Sequence, residues 1–149
     1  MQFVAFVFLF FLSSCSSVQT TEYISRADHP YERKLHASFE KVVSSTVYIL
    51  KRQGWSVAEE AIPSIYERDE RYDNGYQNLL ILTKAKKKFL HLTNMHLNVF
   101  IHGRDNTADV EIRYEAQTSM IKQFVSTRND QFIEDIFDDI EKDLGRNYG

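Results

Sequence analysis

Ala108 to Met120 narrows the possible folds more than any other segment. Val110, Ile112, Tyr114 and Ala116 alternate there with Asp109, Glu111, Arg113, Glu115 and Gln117. A period of two belongs to a β-strand, and this one has an apolar face and a polar face. Alternation predicts a sheet with one side packed and the other in water. Such a sheet needs amphipathic partners on its apolar side.

Two segments carry the helical period. From Pro30 to Gln53, Leu35, Phe39, Val42, Val43, Thr46, Val47, Ile49 and Leu50 recur at a three-to-four spacing. Asp28 reads as the N-cap, with Pro30 in the first turn. Glu32 near the start and Lys51 and Arg52 in the last turn suit the helix dipole. Gly54 reads as the left-handed residue that closes the helix. From Asn129 to Leu144 a second stripe runs through Phe132, Ile133, Ile136, Phe137, Ile140 and Leu144. Asn129 or Ser126 caps it and Gly145 ends it.

Between the helices lie further strand signals. Trp55 to Ile62 reads as a strand that Pro63 ends or bends. Ser64 to Arg68 reads as a second extended piece. Asp73-Asn74-Gly75 is a turn, because Asn and Gly both accept positive φ. Gln77 to Thr83 is a strand, apolar on both faces at its centre, and Leu90 to His102 is another. Gly103 to Asn106 makes the hairpin turn into Ala108. The predicted fold is α+β: a two-layer sandwich with an N-terminal helix, a three- to four-stranded antiparallel sheet and a C-terminal helix. The first helix precedes the sheet and the last follows it, so both are expected on one face.

The first residues are of another kind. Phe3 to Leu12 reads FVAFVFLFFL, ten residues without a polar side chain. A helix needs about 20 residues to span a bilayer core, whereas the apolar part of a secretory signal runs to roughly 7–15. The run stops at Leu12-Ser13-Ser14-Cys15, and no Lys or Arg precedes it. Leu12, Ser13, Ser14 and Cys15 resemble, position by position, the lipobox of bacterial lipoproteins: an aliphatic residue, two small residues and a cysteine. The resemblance implies diacylglycerol on the Cys15 sulfur, cleavage between Ser14 and Cys15, and acylation of the new amino group. Two or three acyl chains anchor durably where one binds only marginally. It also implies a cell-envelope protein. Ser16 after the cysteine, in place of Asp, favours the periplasmic side of the outer membrane over the inner membrane. On this reading residues 1–14 are a signal peptide, 15–29 a polar lipidated tether and 30–149 a single domain.

Composition bounds the remaining chemistry. Hydrophobic residues make up 43% and charged residues 26%, enough apolar material for a core. A net charge of −3 gives no reason to expect a nucleic-acid partner. Cys15 is the only cysteine, so no internal disulfide or cysteine metal site arises. His96 and His102 share a strand face but stand roughly 20 Å apart at about 3.3 Å per residue, too far for one metal. With His91, His36 and His29 they read as solvent-facing histidines. Glu59-Glu60 and Asp138-Asp139 are neighbours whose side chains diverge, and Asp135, Glu141 and Asp143 read as a solvated helix face. No catalytic residue, metal site or cofactor is expected, and a hydrolase is the least favoured reading.

Two surface features remain. Lys84, Lys86, Lys87 and Lys88 form a cationic run that reads as a solvated turn or as a contact for anionic lipid head groups. Tyr66, Tyr72 and Tyr76 flank one loop and are the candidate contact region for a protein partner. Leu50-Lys51-Arg52-Gln53-Gly54-Trp55 and the closing Phe132 to Leu144 stripe resemble the helix-grip domains of the accessory lipoprotein of the β-barrel assembly machinery. Likeness to the lipopolysaccharide-assembly lipoprotein is weaker, because that fold begins with a strand. The resemblance implies a non-enzymatic scaffold or binding module for an envelope partner. A small apolar-ligand or lipid-binding module, gripped between helices and sheet, is the alternative.

Overall fold

A computed structural model of the chain describes residues 23–25, 31–72, 75–88, 93–118, 124–126 and 129–148. The lipobox, Asp28, His29, His91 and the Asp73-Asn74 turn residues lie outside them. Two helices and seven strands are present among the described residues. In chain order they are β1 (Tyr31–Leu35), α1 (Phe39–Arg52), β2 (Val57–Ala61), β3 (Gln77–Thr83), β4 (Lys86–Lys88), β5 (Thr93–Arg104), β6 (Thr107–Thr118), β7 (Phe124–Ser126) and α2 (Asp130–Tyr148).

The β5–β6 hairpin is the spine. Its two strands pair in continuous antiparallel register from Thr93↔Thr118 to Arg104↔Thr107, turning at Asp105-Asn106. The strand order is β1-β6-β5-β3-β2, with β4 added to β5 and β7 to β6 at the far end of the hairpin. Val99, Ile101, Val110 and Ile112 on one face meet Ile49 and Leu50 of α1 and Ile133, Ile136 and Ile140 of α2 in a single core, all fully buried. Both helices therefore pack on the same face, as their amphipathic stripes predict. Ser45 Oγ donates to Asp143 Oδ2 at 2.8 Å, and Arg52 reaches Asp139 at 2.7 Å, tying α1 to α2. Asp139 and Asp143 are half-buried and join the two helices, while Asp135, Asp138 and Glu141 are exposed, as a solvated face predicts.

Gly54 closes α1 as expected. It sits at φ +79°, Trp55 N–H donates to Leu50 O at 2.9 Å, and Gly54 N–H donates to Lys51 O at 2.9 Å. That pair of bonds is the Schellman motif, which requires a left-handed residue at this position. Asn129 is the cap of α2, its Oδ1 accepting the Phe132 N–H at 3.4 Å.

Six readings of the sequence need correction. Residues 31–35 are not helical but form β1, because β6 has a free edge and Tyr31↔Ile112 to Leu35↔Ala108 fills it. Ser38, not Asp28, holds the N-cap position of α1. The Ser64–Arg68 piece is a 3₁₀ turn over Pro63–Ile65, with Tyr66 N–H bonded to Pro63 O at 2.9 Å. Lys86 to Lys88 are strand β4, not a turn. Gly145 does not end α2, which continues to Tyr148; one exposed glycine costs only about 1 kcal/mol against a stripe already packed. Gly103 belongs to β5, where a Cβ would stand 2.5 Å from Phe39 Cβ. This strand passes directly under the first turn of α1.

The sandwich also has more than two layers. The sheet face away from the helices holds Leu80, Leu82 and Phe100, all fully buried, with Tyr23 and Tyr66 packed on them. The chain from Ile62 to Tyr72 and the short piece at Tyr23-Ile24 cover this face.

Candidate functional site

The antiparallel register sets the site out on that covered face. Arg113 lies across from Asn98, Glu111 from Phe100 and Asp109 from His102. Alternation alone places these side chains in solvent. Glu111 and Arg113 are instead 1% and 3% exposed, and His96 and His102 are 7% and 3% exposed. The reading of His96 and His102 as solvent-facing is therefore overturned. Phe100, Leu80 and Leu82 sit on the same face, and they exclude water only if a further layer covers them.

Arg113 is the centre of a charge network. Its Nε donates to Glu111 Oε1 at 2.6 Å, and its two Nη atoms donate to Glu67 at 2.9 Å each. It also donates to Ile24 O at 2.9 Å, and its guanidinium stacks 3.8 Å from the Phe100 ring centre. A planar fork with five donors suits this position, and Lys would not fill it. Glu67 further accepts from Tyr72 OH at 2.6 Å and from Tyr23 OH. Arg71 forms the second node, donating to Asp69 at 2.6 Å and Glu111 at 3.2 Å.

The network sets its own ionisation. Burial pushes Glu67 up, but bonds from Arg113, Tyr23 and Tyr72 outweigh that and hold it at about 2. Burial, then the bond to Glu67, pushes Tyr23 up to about 12. Burial first, then Arg71, lowers His102 to about 4, so it is neutral at ordinary pH. Its tautomer follows from its neighbour. Asn78 Nδ2 donates to Tyr76 O at 3.0 Å, so Asn78 Oδ1 accepts from His102 Nδ1–H at 2.7 Å. Nε2 then carries the lone pair, buried and without a partner among the described residues.

A cleft of about 490 Å³ opens beside this network, walled by Glu32, Lys34, Arg71, Tyr76, His102 and Asp109. A smaller one of about 230 Å³ lies at the other end of the fold, by Trp55 and Phe132. Among the described residues, no three His, Cys, Asp or Glu side chains gather as metal ligands do.

The residues singled out from the sequence fall as follows. Cys15 and Ser14 lie outside the described residues. The three tyrosines are not a free patch. Tyr66 stacks on Tyr23 with ring centres 5.2 Å apart, Tyr72 stacks on His102 at 5.3 Å, and Tyr76 lies under Arg104 at 5.4 Å. Tyr66 and Tyr72 belong to the covering layer, and Tyr76 walls the cleft beside it. Lys84 and Lys87 are exposed, while Lys86 is half-buried, donating to Gln53 O at 2.7 Å with its ammonium 5.2 Å from the Trp55 ring centre; the Lys88 side chain is outside the described set. Glu59 accepts from Tyr66 OH at 3.3 Å and Glu60 is exposed. Asp138 pairs with Arg33 at 2.8 Å.

The network of Glu67, Arg71, Glu111 and Arg113 is absent from the residues picked by sequence. One signal pointed to it: Leu80, Leu82 and Phe100 put apolar side chains on the face that alternation in β6 marks as wet. No protein family matches this chain, and a search of curated proteins finds no match.

Proposed function

We propose that the chain is an envelope lipoprotein, held to a membrane by lipid on Cys15, whose domain is a non-enzymatic binding or assembly module for a protein partner. The placement of two isoleucines carries the partner reading. Ile62 and Ile65 are 61% and 71% exposed, on the turn between β2 and the charge network. That turn is fixed from below, because Pro63 is buried and Glu67 is held by Arg113, Tyr23 and Tyr72. Among the described residues β2 ends the strand order beside it. An edge strand next to rigid exposed apolar side chains is a surface to which an extended partner segment adds. The contact region thus moves from Tyr66, Tyr72 and Tyr76 to the adjoining Ile62–Ile65 turn. The non-enzymatic reading is supported by the pairing of Glu67, Glu111, Arg71 and Arg113 with one another. Glu67 stays ionised down to about pH 2, a poor proton donor or acceptor near neutrality.

The test is a photo-crosslinking residue at position 65 of the full chain in cells, with Lys51 on the exposed side of α1 as the control position. A discrete adduct from position 65, absent from position 51 and weakened by Cys15→Ala, supports the reading. No adduct, or the same adduct from both positions, overturns it. Intact mass tests the anchor separately. A mature protein starting upstream of Cys15, or lacking acyl mass, removes the lipoprotein assignment.

A further inference from the structure

The second cleft has a different chemistry. Trp55 follows the Schellman glycine and is 3% exposed. Its ring centre lies 6.1 Å from Phe132, which lies 5.5 Å from Tyr114. With Met95 these rings form the apolar wall of the 230 Å³ cleft, and Lys86 and Lys87 stand at it.

Three observations agree on what this space would receive. The indole Nε1–H of Trp55 is buried with no acceptor among the described residues. Such a donor is rare in a folded protein unless something supplies the acceptor. Next, the cleft carries cations and no carboxylate among its described walls: the Lys86 ammonium is within 5.2 Å of the Trp55 ring centre, and Lys87 is exposed. Finally, Asn129, the cap of α2, is part of the wall, so the positive end of a 19-residue helix adjoins it. An unused donor, the Lys86 ammonium and a helix N-terminus all favour negative charge, while Trp55, Phe132 and Met95 favour hydrocarbon.

We propose that this cleft binds an anionic amphiphile: a carboxylate or phosphate head held by Lys86 and the Trp55 N–H, with Lys87 adding positive charge beside it and the first part of an alkyl chain against Trp55, Met95 and Phe132. The volume is below the roughly 300–1,000 Å³ of pockets that enclose a whole drug-sized ligand, so the rest of a long chain stays outside. The site is independent of the Ile62–Ile65 surface, and neither stands or falls with the other. The lysine run thereby acquires a role that its sequence leaves open, with Lys86 holding the head and Lys87 adding charge beside it.

Trp55 is the only tryptophan in the chain, so its emission reports this cleft directly. The experiment uses the full chain carrying Cys15→Ser, to keep it free of its own acyl groups. One arm titrates monomeric decanoate and decyl phosphate, with decyltrimethylammonium as the cationic counterpart. The other adds vesicles of phosphatidylglycerol in phosphatidylcholine, with pure phosphatidylcholine vesicles alongside. A saturable emission change with the anionic probes, absent with the cation and weakened about tenfold or more by Lys87→Glu, is the expected result. Response in the monomer arm assigns a free anionic amphiphile, and response to anionic vesicles alone assigns a lipid surface. Lys87 is exposed, so its variant folds, and an unchanged melting temperature checks this. An equal response to the cation, no saturable change in either arm, or full binding by Lys87→Glu overturns the proposal.

Discussion

Arg113 Nε lies 2.6 Å from Glu111 Oε1, and the two side chains are 2% and 1% exposed, on the sheet face that strand alternation assigns to water. The pair is two residues apart on β6, so both side chains leave the same face. Neither is buried by the hairpin itself. The layer built from Tyr23, Tyr66, Glu67 and Tyr72 removes them from solvent. That layer is held in place by the charges it covers.

Breaking this pair should be costly. Arg113→Met leaves Glu111 and Glu67 without their main cation, and removing one partner of a buried ion pair costs about 3–5 kcal/mol. Urea unfolding of Arg113→Met should show a loss of that order. Adding Glu111→Leu should recover part of it, because the uncompensated buried charge is gone. A single-variant loss below about 1 kcal/mol would show that the network is not under strain when opened.

Acid should destabilise the domain in two steps. His102 binds its proton near pH 6.5 when unfolded and near pH 4 when folded. Between those values the unfolded chain holds more protons, so stability is full above pH 6.5 and falls as pH drops towards 4. The contribution is about 3 kcal/mol at 1.36 kcal/mol per unit. Glu67 follows, shifted from 4.5 to about 2, with its stabilisation lost as pH falls through that window. Denaturant midpoints from pH 7.5 to 4 should flatten in His102→Gln. If they do not, His102 is not the group that titrates.

Gly103→Ala tests the seat of α1. The new methyl would stand 2.5 Å from Phe39 Cβ and 2.6 Å from Phe39 Cδ2. Overpacking of this kind costs about 1–3 kcal/mol. Phe39→Ala removes the ring atoms but keeps the Cβ, so it should relieve the clash only in part. Thermal unfolding of the two singles and the double gives the coupling directly, and additive losses would contradict the contact.

Gly54→Ala tests the helix stop. At φ +79° an alanine pays for a left-handed backbone, and a cost of about 1 kcal/mol is expected. Gly75→Ala at φ +71° should behave alike, since nothing lies within 4 Å of its added methyl. A loss confined to Gly54 would show that Lys86, whose Nζ is 3.4 Å from the added Cβ, matters more than the backbone.

The spine and the two helices were legible because their signals are local and periodic. β3 covers Gln77–Thr83 as its residues predict, and the stripes of α1 and α2 pack on one side of β6. Leu35 misled for a related reason. It falls in helical step with Phe39 and Val42, yet it is also the inward end of the alternation Tyr31-Arg33-Leu35. Only the vacant edge of β6 favours the strand. Lys86 to Lys88 are strand for the same reason, since β5 continues past the end of β3 and needs a partner there.

By itself the sequence determined which residues carry each period, where glycine must turn the chain at Gly54, and which face of each helix is greasy, because these depend on neighbours within a few residues. It also determined the Leu12–Cys15 pattern on which the membrane proposal rests. Tertiary structure alone decided that Glu111, Arg113, His96 and His102 are dry. Arg113 is covered by Glu67 and Tyr23, which lie 46 and 90 residues from it along the chain, and His102 by Tyr72. A side chain's hydration is set by what the whole fold lays over it, and no window of local sequence contains that information.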